Sequence, residues 1–255
     1  MIDYTTVTEI PGSKATQEQL TRLCTRYYTA ANFCQDKDVL EVGCGCGIGL
    51  GYLAKRARRI VGGDYTENVV KHAQSHYRER IPLLRLDAHE LPFKNNCFDV
   101  IILYESIYYL KHPEYFVEEA SRVLRKGGVL IICTVNKDWA DFNPSPCSVE
   151  YFSAPELLSL LKHRFSEIKF YGAFSTSNNT SRDSLISAIK RMAIGMHLIP
   201  KTMKGKEFFK RIFFGKLTIL PQEIKEGMAE CCEPVAIPHV QFASKYKVLY
   251  ALAYV

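Results

Sequence analysis

Apolar positions along most of the chain follow two alternating patterns. Short runs that are almost entirely apolar have the length of strands and predict strands buried on both faces. Longer segments between these runs carry apolar residues three or four positions apart, which predicts amphipathic helices. The predicted strands are 39–42, 59–63, 83–86, 98–104, 129–135, 168–174 and 246–255. The predicted helices are 16–34, 50–58, 66–80, 113–124 and 153–163.

This alternation of buried strands and helices predicts a doubly wound α/β fold with a mostly parallel sheet. Crossover connections in such sheets are right-handed, so every strand-to-helix loop lies on one edge of the sheet. We therefore expect these loops to converge at the edge where such sheets bind ligands. The loops concerned follow residues 42, 63, 86, 104 and 135.

The segment 175–245 separates the last two predicted strands and is much longer than a hairpin loop. Because it contains apolar clusters, we interpret it as an inserted, mostly helical subdomain that caps the ligand-binding edge. The main domain then comprises 1–174 and 246–255. Residues 182–216 carry nine Lys or Arg and two acidic residues, so their formal net charge is +7. The whole chain has a formal net charge of +6.

Composition places the chain among ordinary globular proteins. With 255 residues it has room for one or two domains, and 47% hydrophobic and 24% charged residues are typical values for soluble chains. No apolar run reaches the roughly 18 residues of a membrane span, and the first residues lack a secretory-signal pattern. The nine cysteines are scattered, which favours reduced thiols. We therefore expect a cytoplasmic protein.

A glycine-rich turn follows the first predicted strand. Gly43, Gly45 and Gly47 occupy alternate positions and allow the backbone to approach a ligand closely. Dinucleotide-binding turns need a glycine at the sixth position, and phosphate-binding loops end in Gly-Lys-Ser/Thr; both features are absent here. Glu41 would repel a diphosphate beside this turn. An acidic residue at that place instead suits a ligand with a cationic amino group.

Two further acids follow the next two predicted strands. Asp64 can accept hydrogen bonds from both hydroxyls of a ribose. Asp87 can accept one from an exocyclic adenine amine, while the Ala88 amide donates to a ring nitrogen. Acceptors for an amino group, a ribose and an adenine, without a phosphate site, indicate S-adenosylmethionine as the ligand.

Five motifs in this order resemble those of class I S-adenosylmethionine-dependent methyltransferases of small molecules. They cover roughly residues 16–174, with weaker support at 246–255. The resemblance implies methyl transfer and a Rossmann-like sheet of seven strands in the order 3-2-1-4-5-7-6, with strand 7 antiparallel. The motifs are VLEVGCGCGIG (39–49), VGGDYT (61–66), LDAHELPF (86–93), FDVIILYESIYYL (98–110) and EEASRVLRKGGVLIICT (118–134).

The resemblance also implies a role for each residue of these motifs. The three glycines pass under the cofactor, Glu41 supports their turn, and Cys44 belongs to the same cofactor-binding turn. Asp64 binds the ribose, Tyr65 lies against the adenine, and Asp87 with Ala88 reads the adenine edge. The residues that face the methionine moiety and the methyl group are Tyr104 and Glu105. Cys44 and Cys46 fill positions that are often small or acidic in the family.

Two other kinds of site are not favoured by the sequence. The pair Cys44 and Cys46 has no accompanying Cys or His motif, whereas a structural zinc ion takes four ligands, so we predict no metal. No stretch combines basic and aromatic residues in an RNA-binding pattern, so we predict no nucleic-acid partner.

The methyl acceptor is expected beside the fourth and fifth predicted strands. Tyr108 and the loop with Trp139 and Phe142 should contact it. His112 and His239 are weak candidates for a general base, which a hydroxyl acceptor would require. We predict an oxygen of a sugar-like molecule, a glycolipid or a secondary metabolite as the acceptor, and the basic insertion suggests that it is anionic.

Other interpretations of the chain stay open. The lysines of the insertion can equally form the solvated face of its helices. Alternatively, the basic and aromatic stretch 204–216 lies on an anionic membrane surface, and the protein methylates a lipid or a quinone. A third hypothesis is a protein that binds S-adenosylmethionine without catalysing a reaction.

Overall fold

The structure is a computed structural model that describes residues 3–145, 147–176 and 217–255. Ten strands are present in these residues. They are β1 (Lys14–Ala15), β2 (Asp38–Val42), β3 (Arg59–Asp64), β4 (Leu83–Arg85), β5 (Phe98–Tyr104), β6 (Leu124–Val135), β7 (Glu167–Ser175), β8 (Thr218–Ile219), β9 (Val235–Ala236) and β10 (Tyr246–Tyr254).

Eight of these strands form one sheet in the order β4-β3-β2-β5-β6-β10-β7-β9. The first five strands of this order are parallel, and β10 is antiparallel to both β6 and β7. This arrangement confirms the predicted order 3-2-1-4-5-7-6 with an antiparallel strand 7. The short edge strand β9 is an addition that the apolar pattern did not predict.

Five α-helices accompany the sheet in the described part of the chain. They are α1 (Gln17–Cys34), α2 (Leu50–Ala54), α3 (Glu67–Tyr77), α4 (Pro113–Val123) and α5 (Ala154–Leu161). The helix α1 begins at a capping box formed by Thr16 and Gln19. The helix α3 is shorter than the predicted 66–80 because Arg78 takes a φ of +51°, which ends the helix. The helix α2 is shorter than 50–58 because the chain turns back to Lys37, whose carbonyl accepts from the amide of Arg58 at 3.0 Å.

Side chains alternate between the two faces of the sheet and build a hydrophobic core on each side. On β2, Leu40 and Val42 belong to the core beneath α4 and α5, whereas Val39 points to the opposite core with α1 and α2. Glu41 therefore faces α1, as does Tyr104 at the end of β5. This alternation brings the end of the glycine-turn strand under the α1 helix.

The segment before α1 and the described part of the predicted insertion meet on this same side. The strands β1 and β8 pair as a two-stranded antiparallel ladder. Beyond β8, Leu220 and Ile224 are buried, and the Tyr28 hydroxyl of α1 donates to the Lys225 carbonyl at 2.7 Å. Residues 220–232 thus pack along α1 and α2. Beyond them, β9 pairs with β7, and a 3-10 turn, Val240–Lys245, packs against α5 and β7.

The division into two domains stays a prediction. Residues 177–216, with the basic stretch and the proposed membrane-binding stretch 204–216, lie outside the described residues. In the part of the chain that is described, no helix combines the length and the apolar character needed to cross a membrane.

Candidate functional site

A cavity of about 590 Å³ opens at the carboxyl ends of the parallel strands. Its volume lies within the usual range of small-molecule sites. All five loops that were expected to converge contribute to its wall, from the glycine turn to Val135. Eleven of the predicted site residues line it, namely Glu41, Gly43, Cys44, Gly45, Asp64, Tyr65, Asp87, Ala88, Tyr104, Glu105 and Tyr108.

The glycine turn is held tightly against the neighbouring strand loops. The amides of Gly43 and Cys44 both donate to the Gly63 carbonyl, at 2.8 and 3.0 Å. Gly43 has a φ of +71°, and a Cβ atom there would collide with the Ser106 side chain. Only glycine therefore fits this position without strain.

Gly47 is the one glycine of the turn that is not among the residues lining the cavity. The Tyr77 hydroxyl of α3 donates to its carbonyl at 2.7 Å, and a Cβ atom on Gly47 would approach the Tyr77 ring to 3.0 Å. This glycine therefore allows the turn to pack on α3.

Asp64 joins the first two strand-end loops. Its Oδ2 accepts from the Gly45 amide at 2.9 Å, and its Oδ1 accepts from the Thr66 amide at 2.8 Å. Burial raises the pKa of this carboxyl, although the two backbone donors act in the opposite direction. The carboxylate is thus fixed in place, with its outer lone pairs directed to the cavity that it lines.

Glu41 is an incompletely satisfied acid at the floor of the cavity. Its side chain is almost fully buried at 1% exposure, and the Tyr27 hydroxyl donates to Oε1 at 2.6 Å. The second oxygen, Oε2, has no hydrogen-bond partner among the described residues. Burial raises the pKa of Glu41 to about 8. A cationic ligand group bound in the cavity beside Glu41 would favour the charged carboxylate.

The far end of the cavity offers an acceptor and a set of rings. The Oδ1 atom of Asp87 accepts from the His89 amide at 2.9 Å and contacts His89 Nδ1 at 2.6 Å, which leaves Oδ2 for a ligand. Ala88 is buried beside it. The ring of Tyr65 lies 6.4 Å from the ring of Tyr4. The rings of Tyr4 and Tyr65 and the Asp87 carboxylate therefore line the same cavity.

At the opposite end of the cavity, the residues after β5 have an unusual backbone conformation. Glu105 takes a φ of +49°, a strained conformation for a residue with a side chain. Its Oε2 accepts from the Tyr108 hydroxyl at 3.0 Å, and its Oε1 lies 4.0 Å from Arg26 Nη1. Burial raises the pKa of Glu105. The Tyr104 hydroxyl is turned away and donates to the Arg26 carbonyl at 2.9 Å.

Sequence analysis missed a whole wall of the cavity, formed by one face of α1. The residues of α1 that line the cavity recur at intervals of three or four positions. The same periodicity that predicts a helix could therefore have revealed a lining face. Arg26 is the central one: its side chain is 7% exposed and contacts Glu9 at 2.5 Å. Burial opposes its charge, yet Glu9 and Glu105 raise the pKa of Arg26 further. The lining residues of α1 are Gln19, Arg22, Leu23, Arg26 and Tyr27.

Residues 3–13, which we call the leading segment, form a second missed wall. This segment carries no motif, so no sequence signal pointed to it. Its residues at the cavity are Tyr4, Val7, Thr8 and Glu9.

The other predicted acceptor-side residues do not line the cavity. His112 and His239 are exposed, and His112 contacts Glu114 at 3.2 Å. Phe142 packs behind the lining on Tyr151, with ring centroids 4.7 Å apart. Trp139 lies outside the lining, next to Arg22, whose guanidinium is 5.6 Å from the indole ring centre. Among the described residues, no group of three or more His, Cys, Asp or Glu could hold a metal ion.

Comparison with known proteins bears on the same residues. Residues 40–132 match the family described as "Methyltransferase domain". A Mycolicibacterium smegmatis protein named "Probable S-adenosylmethionine-dependent methyltransferase" is 34% identical over 158 residues, which cover 58% of this chain and 60% of that protein. The "Phthiotriol/phenolphthiotriol dimycocerosates methyltransferase 1" of Mycobacterium ulcerans is 30% identical over 188 residues, 69% of this chain and 66% of that protein.

Among solved structures, that of "the [4+2]-Cyclase SpnF" has the same fold. Its TM-score is 0.58 at 20% sequence identity, and the alignment covers 96% of this chain and 85% of that chain. The matched motifs, the strand order and the S-adenosylmethionine-dependent relatives agree with one another. Residues 40–132 therefore belong to the class I S-adenosylmethionine-dependent methyltransferases, the family of enzymes whose methyl donor is S-adenosylmethionine.

Proposed function

We propose that this chain binds S-adenosylmethionine in the cavity and transfers its methyl group to an oxygen atom of a small-molecule acceptor. Asp64 would hold the ribose hydroxyls, and Asp87 with Ala88 would read the adenine edge. The methionine moiety would extend over the glycine turn toward Glu105. The acids of the cavity suit a donor that carries an ammonium group and a sulfonium group.

The observation that carries this proposal is the buried and incompletely hydrogen-bonded Glu41 at the floor of the cavity. A buried carboxylate at such a place is unfavourable unless a positive charge nearby favours it. It stands beside the glycine turn, where a diphosphate would be repelled and an ammonium group would be attracted. Arg26 is already paired with Glu9 and lies 4.0 Å from Glu105, so this end of the cavity keeps its acids close to a fixed positive charge.

Glu105 and Tyr108 supply the groups that the reaction needs from the protein. When bound, the cofactor would supply a methyl group on a positively charged sulfur: an aligned acceptor oxygen would bond to the methyl carbon as the carbon–sulfur bond breaks, and S-adenosylhomocysteine would leave as a neutral thioether. Glu105 Oε2 would take the proton that the acceptor hydroxyl loses. The Tyr108 hydroxyl, 3.0 Å from that oxygen, fixes the direction of the carboxylate. The ring of Tyr108, stacked on Tyr151 at 4.2 Å, closes this side against water.

The wall beyond Glu105 favours an acceptor with an apolar body and a hydroxyl group. Tyr108, Val135 and Val149 present rings and branched side chains there. The arginines of this region already have carboxylate partners: Arg22 contacts Glu18 at 2.7 Å, in addition to the Arg26 pair. A sugar-like ring or a glycolipid fits such a wall. The anionic character that was predicted for the acceptor depends on residues 182–216 and stays a prediction.

A lipid acceptor is the second candidate. It is supported by the similarity to the Mycobacterium ulcerans protein, whose name gives phthiotriol and phenolphthiotriol dimycocerosates as its methylated compounds. A binding protein that does not transfer methyl groups is the third, because the fold also occurs in a protein named for a cyclisation.

Calorimetry and a labelled-methyl assay distinguish these functions. We expect S-adenosylmethionine and S-adenosylhomocysteine to bind with one site per chain, and labelled methyl to appear on a hydroxyl-bearing acceptor from a panel of sugars, glycolipids and lipids. Transfer confined to lipids would select the second candidate. Absence of cofactor binding by a folded protein would exclude the proposed function.

A further inference from the structure

We infer that the leading segment, residues 3–13, completes the donor site as its outer wall and must lift for the cofactor to enter and the product to leave. Its positioning residues are Tyr4 and Glu9, which no motif identifies. This inference rests on the proposed function, because it takes the cavity to be the site of the cofactor.

The leading segment crosses the entire length of the proposed donor site. At the adenine end, the ring of Tyr4 lies 6.4 Å from that of Tyr65 and 5.0 Å from that of Tyr109. Above the glycine turn, a Cβ atom placed on Gly45 would come within 2.9 Å of the Thr8 methyl group. At the methionine end, Glu9 contacts Arg26 at 2.5 Å. The segment therefore rests directly on the turn at Gly45, and a ligand that passes over this glycine must displace it.

The two ends of the segment are attached with very different strength. From Gly12 onward the chain is anchored, since the Gly12 amide donates to the Leu220 carbonyl at 2.9 Å and β1 pairs with β8. Before this point, the segment is joined to the other described residues by two long hydrogen bonds of 3.4 Å, from the Tyr4 amide to Thr66 and from Asn68 Nδ2 to Asp3 Oδ2. Ring contacts of Tyr4 and the ion pair of Glu9 add to these. Gly12 itself has a φ of +83° and open space around its Cα atom. Opening can therefore occur about Gly12 while β1 stays in place.

Glu9 acts as a latch between this segment and the floor of the site. The carboxylate side chain is 43% exposed, whereas its partner Arg26 is buried and has Glu105 as its other nearby counter-charge. Lifting the segment would leave the buried guanidinium with Glu105 alone, which is unfavourable. The ion pair joins the segment to α1 and does not involve the ligand. Its loss should therefore ease opening both for a ligand that enters the cavity and for one that leaves it.

S-adenosylhomocysteine is the probe that tests this inference, with stopped-flow fluorescence for its rates and hydrogen exchange for the segment. We expect binding to slow amide exchange within residues 4–10. Glu9→Gln should raise both the association and the dissociation rate, each by roughly fivefold, the size expected for a half-exposed ion pair. Tyr4→Ala should speed dissociation by roughly tenfold, while Tyr4→Phe, which keeps the ring, should retain the wild-type rate.

Two variants serve as controls, and the outcomes separate this inference from the proposed function. Thr6→Ala changes an exposed residue of the same segment, and Glu67→Gln removes an exposed acid on α3; both should leave the rates unchanged. Binding without slower amide exchange in residues 4–10 would overturn the inference and leave the proposed function standing. A change in only the dissociation rate of Glu9→Gln would do the same, because it would indicate direct contact between Glu9 and the ligand. Absence of any S-adenosylhomocysteine binding would instead contradict the proposed function.

Discussion

The strand β2 carries an acid near each end, and the two acids have opposite surroundings. Asp38 at its start receives two hydrogen bonds from the Arg58 guanidinium, at 3.1 and 2.7 Å, and one from Arg125 at 2.8 Å. These donors hold the pKa of Asp38 at about 2, with the Arg58 hydrogen bonds as the largest cause. Glu41 at its end has a single donor, Tyr27, and burial raises its pKa to about 8.

This contrast distinguishes two edges of the sheet. We call the edge at the amino ends of the parallel strands the supporting edge, and the edge at their carboxyl ends the working edge. At the amino ends of the strands, the charges are paired within the protein, since Arg125 also contacts Asp99 at 2.9 Å. At the carboxyl ends, Glu41 keeps an oxygen without a partner and Glu105 holds a strained backbone. A protein tolerates such features where a ligand compensates them. Changes at the first edge should therefore alter stability, and changes at the second should alter binding.

The largest effect is expected for Asp38→Asn. The substitution removes the charge on which the arginines converge, and it leaves those guanidinium groups without their shared partner. We expect the free energy of unfolding in urea at pH 7 to fall by about 3 kcal/mol, the low end for breaking a buried pair, because the arginines are partly exposed. The affinity of the folded protein for S-adenosylmethionine should not change; a parallel loss of affinity would contradict the separation of the two edges.

The pH dependence provides the control for Asp38. Its folded pKa lies below the unfolded value of 3.8, so its contribution is present above pH 4 and is lost as the pH falls toward 2. The difference in unfolding free energy between wild type and Asp38→Asn should therefore shrink over this interval. A constant difference down to pH 2 would show that the charge of Asp38 is not its cause.

Asp64→Ala should have the next largest effect, at the working edge. It removes the proposed acceptor of the ribose hydroxyls and the tie between the Gly45 and Thr66 amides. We expect S-adenosylmethionine to bind about 1–3 kcal/mol more weakly in calorimetry, the scale for lost charge-assisted hydrogen bonds. Glu67→Ala, at an exposed acid of the following helix, is the matched control. Unchanged affinity in a folded Asp64→Ala protein would remove the ribose assignment.

Glu41→Gln should strengthen the fold and weaken the binding. A folded pKa of about 8 against 4.5 in the unfolded chain means that the empty folded protein keeps a proton which the unfolded chain loses. Stability from this group therefore decreases as the pH rises from 4.5 to 8. The variant removes this slope and should gain about 1–2 kcal/mol at pH 8, a value lowered from the full linkage to allow for relaxation around the buried group.

Proton release distinguishes a functional Glu41 from a merely buried one. If the ammonium group of the cofactor shifts Glu41 from the protonated acid to the carboxylate, binding of S-adenosylmethionine at pH 7 should release a proton. Calorimetry in buffers of different ionisation enthalpy measures this release, which should disappear in Glu41→Gln. Equal proton release by wild type and variant would contradict the pairing of Glu41 with the cofactor.

The sequence predicts the donor side of this site far better than the acceptor side. Asp64 and Asp87 follow strands, and parallel strands bring their ends to one edge, so their convergence could be predicted from the order of elements alone. Alternation on a buried strand also made Glu41 an unusual residue in an apolar run. Such inferences need only local patterns and the handedness of the crossovers.

The residues that sequence analysis missed depend on packing between distant segments. Arg26 and Tyr27 lie on a helix whose face looked like ordinary core, and only its position above β2 makes them cavity residues. Glu9 reaches Arg26 across 17 positions from a segment with no periodicity. Trp139 lies in the loop after β6, where an acceptor contact is expected, yet it packs beside Arg22 and Lys247 outside the lining. These placements follow from tertiary contacts that no local pattern records.

Tyr27→Phe should produce the smallest effect, and it has a matched control one residue away. The Tyr27 hydroxyl donates to Glu41 at 2.6 Å, whereas that of Tyr28 donates to the Lys225 carbonyl outside the cavity. Without its donor, Glu41 is charged less readily, so its pKa should rise and the decline of stability should extend above pH 8. We expect S-adenosylmethionine to bind about 1 kcal/mol more weakly, the usual value for one hydrogen bond. Tyr28→Phe should leave both the affinity and the pH profile unchanged, and equal effects of the two variants would mean that Tyr27 acts only through helix packing.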